Sequence, residues 1–157
     1  MEKHFSEAFY IAFVSVLLSG KQQLIAVGEQ NDLTLMQTAT LLVLAGVEEL
    51  SMSSFSRLFA CDASNVTGII DGLENKKLVS RRPHPSDRRI KMICLEAAGR
   101  RMQKQLVKQL ALNSESLFSI LSPTEQQQLS KLVFKLSDGI REAEGGICPR
   151  TAEHQLA

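Results

Sequence analysis

The stretch that most constrains this chain runs from Ser51 to Glu96. Its apolar spacing changes there from a helical to a strand-like period, around a block of cations. It reads as helix, turn, helix, strand, basic loop, strand. The sequence on either side reads as helical scaffold. In the second helix, Asp62 is an N-cap residue whose carboxylate can accept a free amide of the first turn. Val66, Ile69, Ile70 and Leu73 follow at helical spacing and define one apolar face. Steps of about 100° per residue put Ser64, Gly68, Asp71 and Asn75 on the opposite face, flanked by Asn65 and Thr67. That face is small and polar. It suits the major groove of a duplex, which admits one helix and is read by that helix's N-terminal side chains. An amphipathic helix with an ordinary solvated face has the same pattern. Gly68 and Gly72 each cost roughly 1 kcal/mol in a helix interior against alanine, so packing must offset them.

The residues that follow favour the polyanion reading. Lys76 and Lys77 end the helix, where cations suit its dipole. Leu78 and Val79 start a strand that Arg81 and Arg82 continue. Pro83, His84, Pro85 and Ser86 cannot extend a ladder, because proline lacks the donor, and they make a loop tip. Asp87, Arg88 and Arg89 begin the return, and Ile90 to Leu95 reads as a second strand. Lys76 to Lys91 holds seven Lys and Arg against one acid, a net of +6 in a chain of +1. Charge concentrated in this way is the footprint expected for a nucleic-acid partner.

At these residues the sequence resembles the MarR family of bacterial transcriptional regulators. The family's wing motif, Asp-x-Arg followed after five residues by Leu-Thr and then a glycine, stands here as Asp87-Arg88-Arg89, Ile90 to Cys94, Leu95-Glu96 and Gly99. Ser64-Asn65-Val66-Thr67 and Asp71-Gly72-Leu73-Glu74 match the recognition helix, and Leu78-Val79 with Arg81 match the strand entry. The likeness extends in less detail to Leu33-Thr34 through Leu44 and to Leu121 through Glu125, about residues 5–142 in all. It implies a homodimer whose recognition helices enter major grooves and whose wings reach the adjacent minor grooves. It also implies that Asp87 pairs with Arg89 to hold the wing, and that Arg88 or Arg89 enters the minor groove. Two departures stand out. Many members carry arginine where Gly68 and Gly72 stand, and threonine where Glu96 stands, so base reading would lean on Ser64, Asn65, Thr67, the wing and DNA shape. Glutamate is the poorer cap for the next helix, though its charge suits a helix N-terminus.

The rest of the chain supplies scaffold. Ser6 to about Val27 reads as a first helix with a stripe of Phe5, Phe9, Phe13, Val16 and Leu17, suited to core or dimer contact. Thr34 and Gln37 form a capping box for a second helix, Leu35 to about Ala45, with Gly46 as its C-cap. Ser51 caps a short helix bearing Phe55, Leu58 and Phe59, with Arg57 between them, placed either to touch a phosphate or simply to be solvated. Ala97 to about Ile120 is a long helix striped by Met102, Leu106, Leu110, Leu117 and Phe118, interrupted at Asn113 and Ser114. Ser122-Pro123-Thr124-Glu125 starts a last helix bearing Leu129, Leu132, Val133, Leu136 and Ile140, and Gly145-Gly146 ends it. Residues 147–157 read as a mobile tail.

The expected fold is therefore mainly α with a small β-hairpin wing. Residues 31–96 form a winged helix-turn-helix DNA-binding lobe, and residues 1–30 and 97–146 form a helical dimerisation region. The chain of 157 residues is long enough for one proper core. Two-fold symmetry would space the reading helices by roughly 34 Å on a palindromic operator. The candidate DNA-binding residues are Ser64, Asn65, Thr67, Gly68, Arg81, Arg82, His84, Arg88 and Arg89, with Asp87 stabilising the wing.

Cys61 and Cys94 sit at apolar positions of the motif and Cys148 in the tail, with no metal-binding spacing. A redox thiol would need an electropositive, accessible setting. The run Phe9 to Leu18 follows mixed charges rather than a basic leader and is too short to span a membrane, which implies a cytoplasmic protein. No phosphate loop, metal run or nucleophile elbow points to an enzyme or a cofactor, and His4, His84 and His154 are scattered. The alternative is a winged-helix module that docks on protein. The resemblance further implies a small aromatic ligand between the DNA-binding lobe and the dimer helices.

Overall fold

A computed structural model describes residues 5–47 and 49–143. The elements in chain order are α1 (Glu7–Glu29), α2 (Leu35–Ala45), β1 (Glu49–Ser51), α3 (Met52–Leu58), α4 (Ala63–Asn75), β2 (Val79–Pro83), β3 (Lys91–Leu95), α5 (Ala97–Phe118) and α6 (Pro123–Ala143). The expected order is present: a mainly helical chain around a helix-turn-helix and a two-stranded wing. The glycine end of α6, the tail, Cys148, His4 and His154 lie outside the described residues.

The helix starts follow from their caps. Thr34 and Gln37 form the expected box, with the Thr34 N–H donating to Gln37 Oε1 at 3.1 Å and the Gln37 N–H to Thr34 Oγ1 at 3.2 Å. Ser51 accepts from the Ser54 N–H at 3.1 Å. Ser122 and Glu125 close a second box, and the bond from the Ser122 hydroxyl holds the Glu125 carboxyl below its usual pKa. Glu96 precedes α5 without a side-chain cap bond, as expected of glutamate. Asn113 and Ser114 do not interrupt α5. The Ser114 hydroxyl donates to the Leu110 carbonyl at 2.6 Å, so the serine is absorbed into the helix.

One strand was not expected. β1 pairs antiparallel with β3, giving a sheet of order β1-β3-β2. Three residues, the last of which also caps α3, are too few to show a strand period. The sheet, α2, α3 and α4 enclose one core built on Leu41, Phe55, Ile70, Leu73 and Ile93, with Val27 of α1 and Leu106 of α5 reaching into it. Gly99 fixes how α5 leaves the sheet. A Cβ there would lie 2.9 Å from the Leu78 carbonyl carbon, which is backbone and cannot yield.

Helix α1 corrects one expectation. It runs 23 residues and is long and apolar enough, by length and composition, to cross a membrane. The apolar run Phe9 to Leu18 is only part of the helix expected from Ser6 to about Val27, so the length of that run did not decide the point. Its C-terminal turns are covered by α2 and α5, with Val27 and Gly28 buried. Its first half leaves Phe9, Tyr10, Phe13 and Leu17 exposed. Of these, Phe9, Phe13 and Leu17 belong to the predicted stripe, which therefore lies outside the chain's own core. Helix α6 likewise exposes Leu129, Leu132, Val133 and Leu136 and is tied to the protomer at its start, where the Gln126 amide donates to the Phe118 and Leu121 carbonyls.

Candidate nucleic-acid interface

The N-terminus of α4 is set by Asp62. Its Oδ1 accepts the Asn65 N–H at 2.9 Å and the Ser64 hydroxyl at 2.7 Å, and these bonds keep its carboxyl below the usual range. Val66, Ile70 and Leu73 are buried, which turns Ser64, Asn65, Thr67, Gly68 and Asp71 outward. The Thr67 hydroxyl donates to the Ala63 carbonyl at 2.8 Å. The Asn65 side-chain amide makes no hydrogen bond among the described residues, and nothing lies within 4 Å of where a Gly68 side chain would begin. Gly72 faces the other way: a Cβ there would press on the buried Gln37 amide. The two glycines therefore differ in kind. Gly68 leaves open space on the outer face, whereas Gly72 lets α4 approach α2.

The wing is held from within its tip. β2 and β3 pair from Val79 with Leu95 to Pro83 with Lys91. Past the ladder, the His84 N–H donates to the Ile90 carbonyl at 2.9 Å and the Ile90 N–H to the Asp87 carbonyl at 3.0 Å. Asp87 Oδ1 accepts the Arg89 backbone N–H at 3.0 Å. Here the structure departs from the implied Asp87–Arg89 ion pair: no such pair forms among the described residues, and the carboxylate holds the turn through the main chain. Arg88 and Arg89 are exposed, with no ion pair among the described residues. His84 is half-buried and turned onto the tip, its Nδ1 accepting the Ser86 N–H at 3.2 Å with the Ser86 hydroxyl 3.0 Å away. It belongs to the loop's internal bonding before it belongs to any partner.

The two strand arginines diverge. Arg82 is largely exposed, with its guanidinium 3.6 Å from the Glu96 carboxylate. Arg81 turns back onto α4. Its NH2 lies 2.6 Å from Asp71 Oδ1 and donates to the Thr67 carbonyl at 3.3 Å, while NH1 pairs with Glu74 Oε2. Its backbone N–H donates to Glu74 Oε1 at 2.9 Å. The Arg81 guanidinium, expected at the DNA surface, is thus engaged with three residues of α4. The signal for this was in the sequence. Thr67, Asp71 and Glu74 share one flank of α4, and Arg81 sits two strand positions past Val79.

Cys94 is buried as expected, its thiol 3.6 Å from Glu49 Oε2. Burial, then that carboxylate, pushes its pKa up, which is opposite to an activated thiol. No cluster of three or more His, Cys, Asp or Glu side chains able to hold a metal is found among the described residues.

The model of the MarR family matches residues 31–90. A Bacillus subtilis (strain 168) protein described as an uncharacterized HTH-type transcriptional regulator, YfiV, is 24% identical over 135 residues, 86% of this chain and 84% of that protein. Wild-type MarR from E. coli, in its apo form, superposes with a TM-score of 0.68 at 20% identity, over 86% of this chain and 98% of that one. Bordetella bronchiseptica BpsR, whose DNA binding is regulated by 6-hydroxynicotinic acid, superposes with a TM-score of 0.64 at 25% identity, over 88% and 99%. Over residues 31–90 the chain is therefore similar to the MarR family, and over most of its length it has the fold of the solved MarR protein.

Proposed function

We propose that this protein is a sequence-specific, double-stranded DNA-binding transcriptional regulator, a homodimer that represses from a palindromic operator. The observation that carries this is an outward α4 face, with Gly68 open and the Asn65 amide without a hydrogen bond among the described residues, joined through Arg81 to the strand that leads into a wing tip exposing Arg88 and Arg89. Asn65 and Ser64 are the base-reading candidates, since asparagine suits adenine and serine adapts to either partner. Arg88 and Arg89 supply the minor-groove and phosphate contacts, and Arg82 and Lys91 add charge beside them. Thr67 packs its hydroxyl on its own helix and contributes shape. Residues 31–96 act as the DNA-binding lobe, with 1–30 and 97–146 as the dimerisation region. A role on chromosomal DNA places the work in the cytoplasm and asks for no catalysis.

The apolar faces of α1 and α6 support the dimer. Exposed apolar area this continuous marks an association surface in a water-soluble chain. The regulation of BpsR by an aromatic acid supports a small aromatic ligand for this chain too. The cleft of about 350 Å³ lined by Phe118, Leu129, Val133 and Phe134 lies at the α5–α6 junction, where a dimer partner would complete it.

Selection of duplexes from the source genome, followed by band shifts across a salt series, tests the reading. Affinity should fall steeply with salt, with a slope of about −0.9 per phosphate contact. Arg88→Ala and Arg89→Ala should each weaken binding and lower that slope by about one. Binding that ignores both substitutions refutes the wing assignment. A protein that retards no selected duplex is left with the docking-module alternative.

A further inference from the structure

Four bonds converge on Arg81. One guanidinium spans Thr67, Asp71 and Glu74, which stand at i, i+4 and i+7 along α4, and the same residue's main-chain N–H holds the second Glu74 oxygen. Only arginine has a fork able to serve two carboxylates and a carbonyl from one side chain. Its partners lie on the flank of the helix that faces β2, and β2 continues two residues on into the wing tip. The cluster is half-exposed, with side-chain exposures of 25% for Arg81, 53% for Asp71 and 31% for Glu74. Its worth to folding is therefore modest. Its geometric consequence is larger. Apolar packing through Val66, Ile70 and Leu73 holds α4 on the core along its length, and on the flank facing β2 the side chain of this one residue bonds the helix to the wing strand.

Resting on the DNA-binding reading above, we propose that Arg81 is a positioning residue that locks α4 to the wing and masks Asp71 and Glu74 from the phosphates. A reading helix and a wing that enter neighbouring grooves must keep a fixed spacing. Two uncovered carboxylates on the flank of that helix would oppose the field that draws DNA in. Arg81 meets both needs with a charge that never reaches the duplex.

The test compares three full-length proteins: wild type, Arg81→Met, which keeps an apolar stem, and the double variant Asp71→Asn with Glu74→Gln. Each is titrated with a labelled selected duplex and with a scrambled one across a salt series. Arg81→Met should lose about tenfold for the selected duplex, the cost of one mismatched base pair, with its salt slope unchanged. The double variant should also lose selectivity, but by the opposite route: the freed guanidinium tightens scrambled binding and steepens its slope by about one. Arg81→Lys should restore little, since one ammonium cannot hold both carboxylates in the same plane. A slope that drops by about one in Arg81→Met, together with unchanged selectivity in the double variant, overturns the proposal and makes Arg81 a phosphate contact. Should Arg81→Met fail to fold, the double variant decides alone. A wild type that binds neither duplex fails the DNA reading itself, before any variant is compared, and takes this inference with it.

Discussion

Single residues carry the largest steric demands of this fold, and few of them are chemically conspicuous. Gly99 is the sharpest case. It reads in the sequence only as the glycine that follows a wing motif, yet α5 leaves the sheet against the Leu78 backbone at that point. Gly99→Ala is expected to cost about 3 kcal/mol or more, because the obstacle is a carbonyl rather than a movable side chain. Chemical denaturation would measure it, and a midpoint unchanged from wild type would show that the junction is softer than drawn. The turn between α3 and α4 stores the opposite opportunity. Ala60 has φ of 48°, in the left-handed region, with its N–H on the Arg57 carbonyl and the Cys61 N–H on the Ser56 carbonyl. Asp32 and Lys77 close α1 and α4 in the same way. Glycine is the usual residue there, so Ala60→Gly should stabilise by about 1 kcal/mol, read as a melting temperature raised by a few degrees. The first effect needs the packing of α5 on the Leu78 backbone and the second needs the turn's dihedral angle, and neither is written in the linear sequence.

The elements themselves were largely legible because their start signals are local. Thr34 with Gln37, Ser51, Asp62 and Ser122 with Glu125 each satisfy free amides within four residues, which a linear reading can see. What needed three dimensions is everything that pairs across elements. β1 exists because Glu49, Leu50 and Ser51 meet Cys94, Ile93 and Met92, and the turn of Arg81 onto α4 depends on strand register. Asp62 gives the elements a pH signature. Hydrogen bonds from Asn65 and Ser64 lower its pKa in the fold relative to the unfolded chain. Its stabilisation is therefore complete above the ordinary carboxylate range and is lost as pH falls through the folded value. Asp62→Asn keeps an acceptor with no proton to gain. Its melting temperature should fall less than that of wild type as pH drops from neutral into the acid range, and parallel acid profiles would remove Asp62 from the account.

At the scale of the whole molecule, the chain leaves two apolar stripes uncovered. A helix of 21 residues with an apolar stripe gains little stability from propensity alone and depends on burying that stripe. Helix α6 leaves Leu129, Leu132, Val133 and Leu136 uncovered, and the first half of α1 leaves Phe9, Phe13 and Leu17 uncovered. The sequence signalled this imbalance, since both terminal helices are more apolar than a three-helix motif needs, although the aromatic stripe alone does not separate core from interface. A lone α1 of this length and composition would also suit a bilayer, but α6 bears an uncovered stripe too, and one partner surface accounts for both. If a second copy covers them, a carboxylate placed in either stripe opposes association without touching the lobe's core. Phe13→Glu and Leu132→Glu should each sediment as monomers at micromolar concentration while wild type sediments as a dimer. Each monomer keeps one α4 and one wing, so it should still bind a half-site, but without the second arm its operator affinity should fall by a hundredfold or so. The two losses must appear together. A variant that stays dimeric, or a monomer that binds the full operator as tightly as wild type, would break the link between these helices and the spacing of the reading heads.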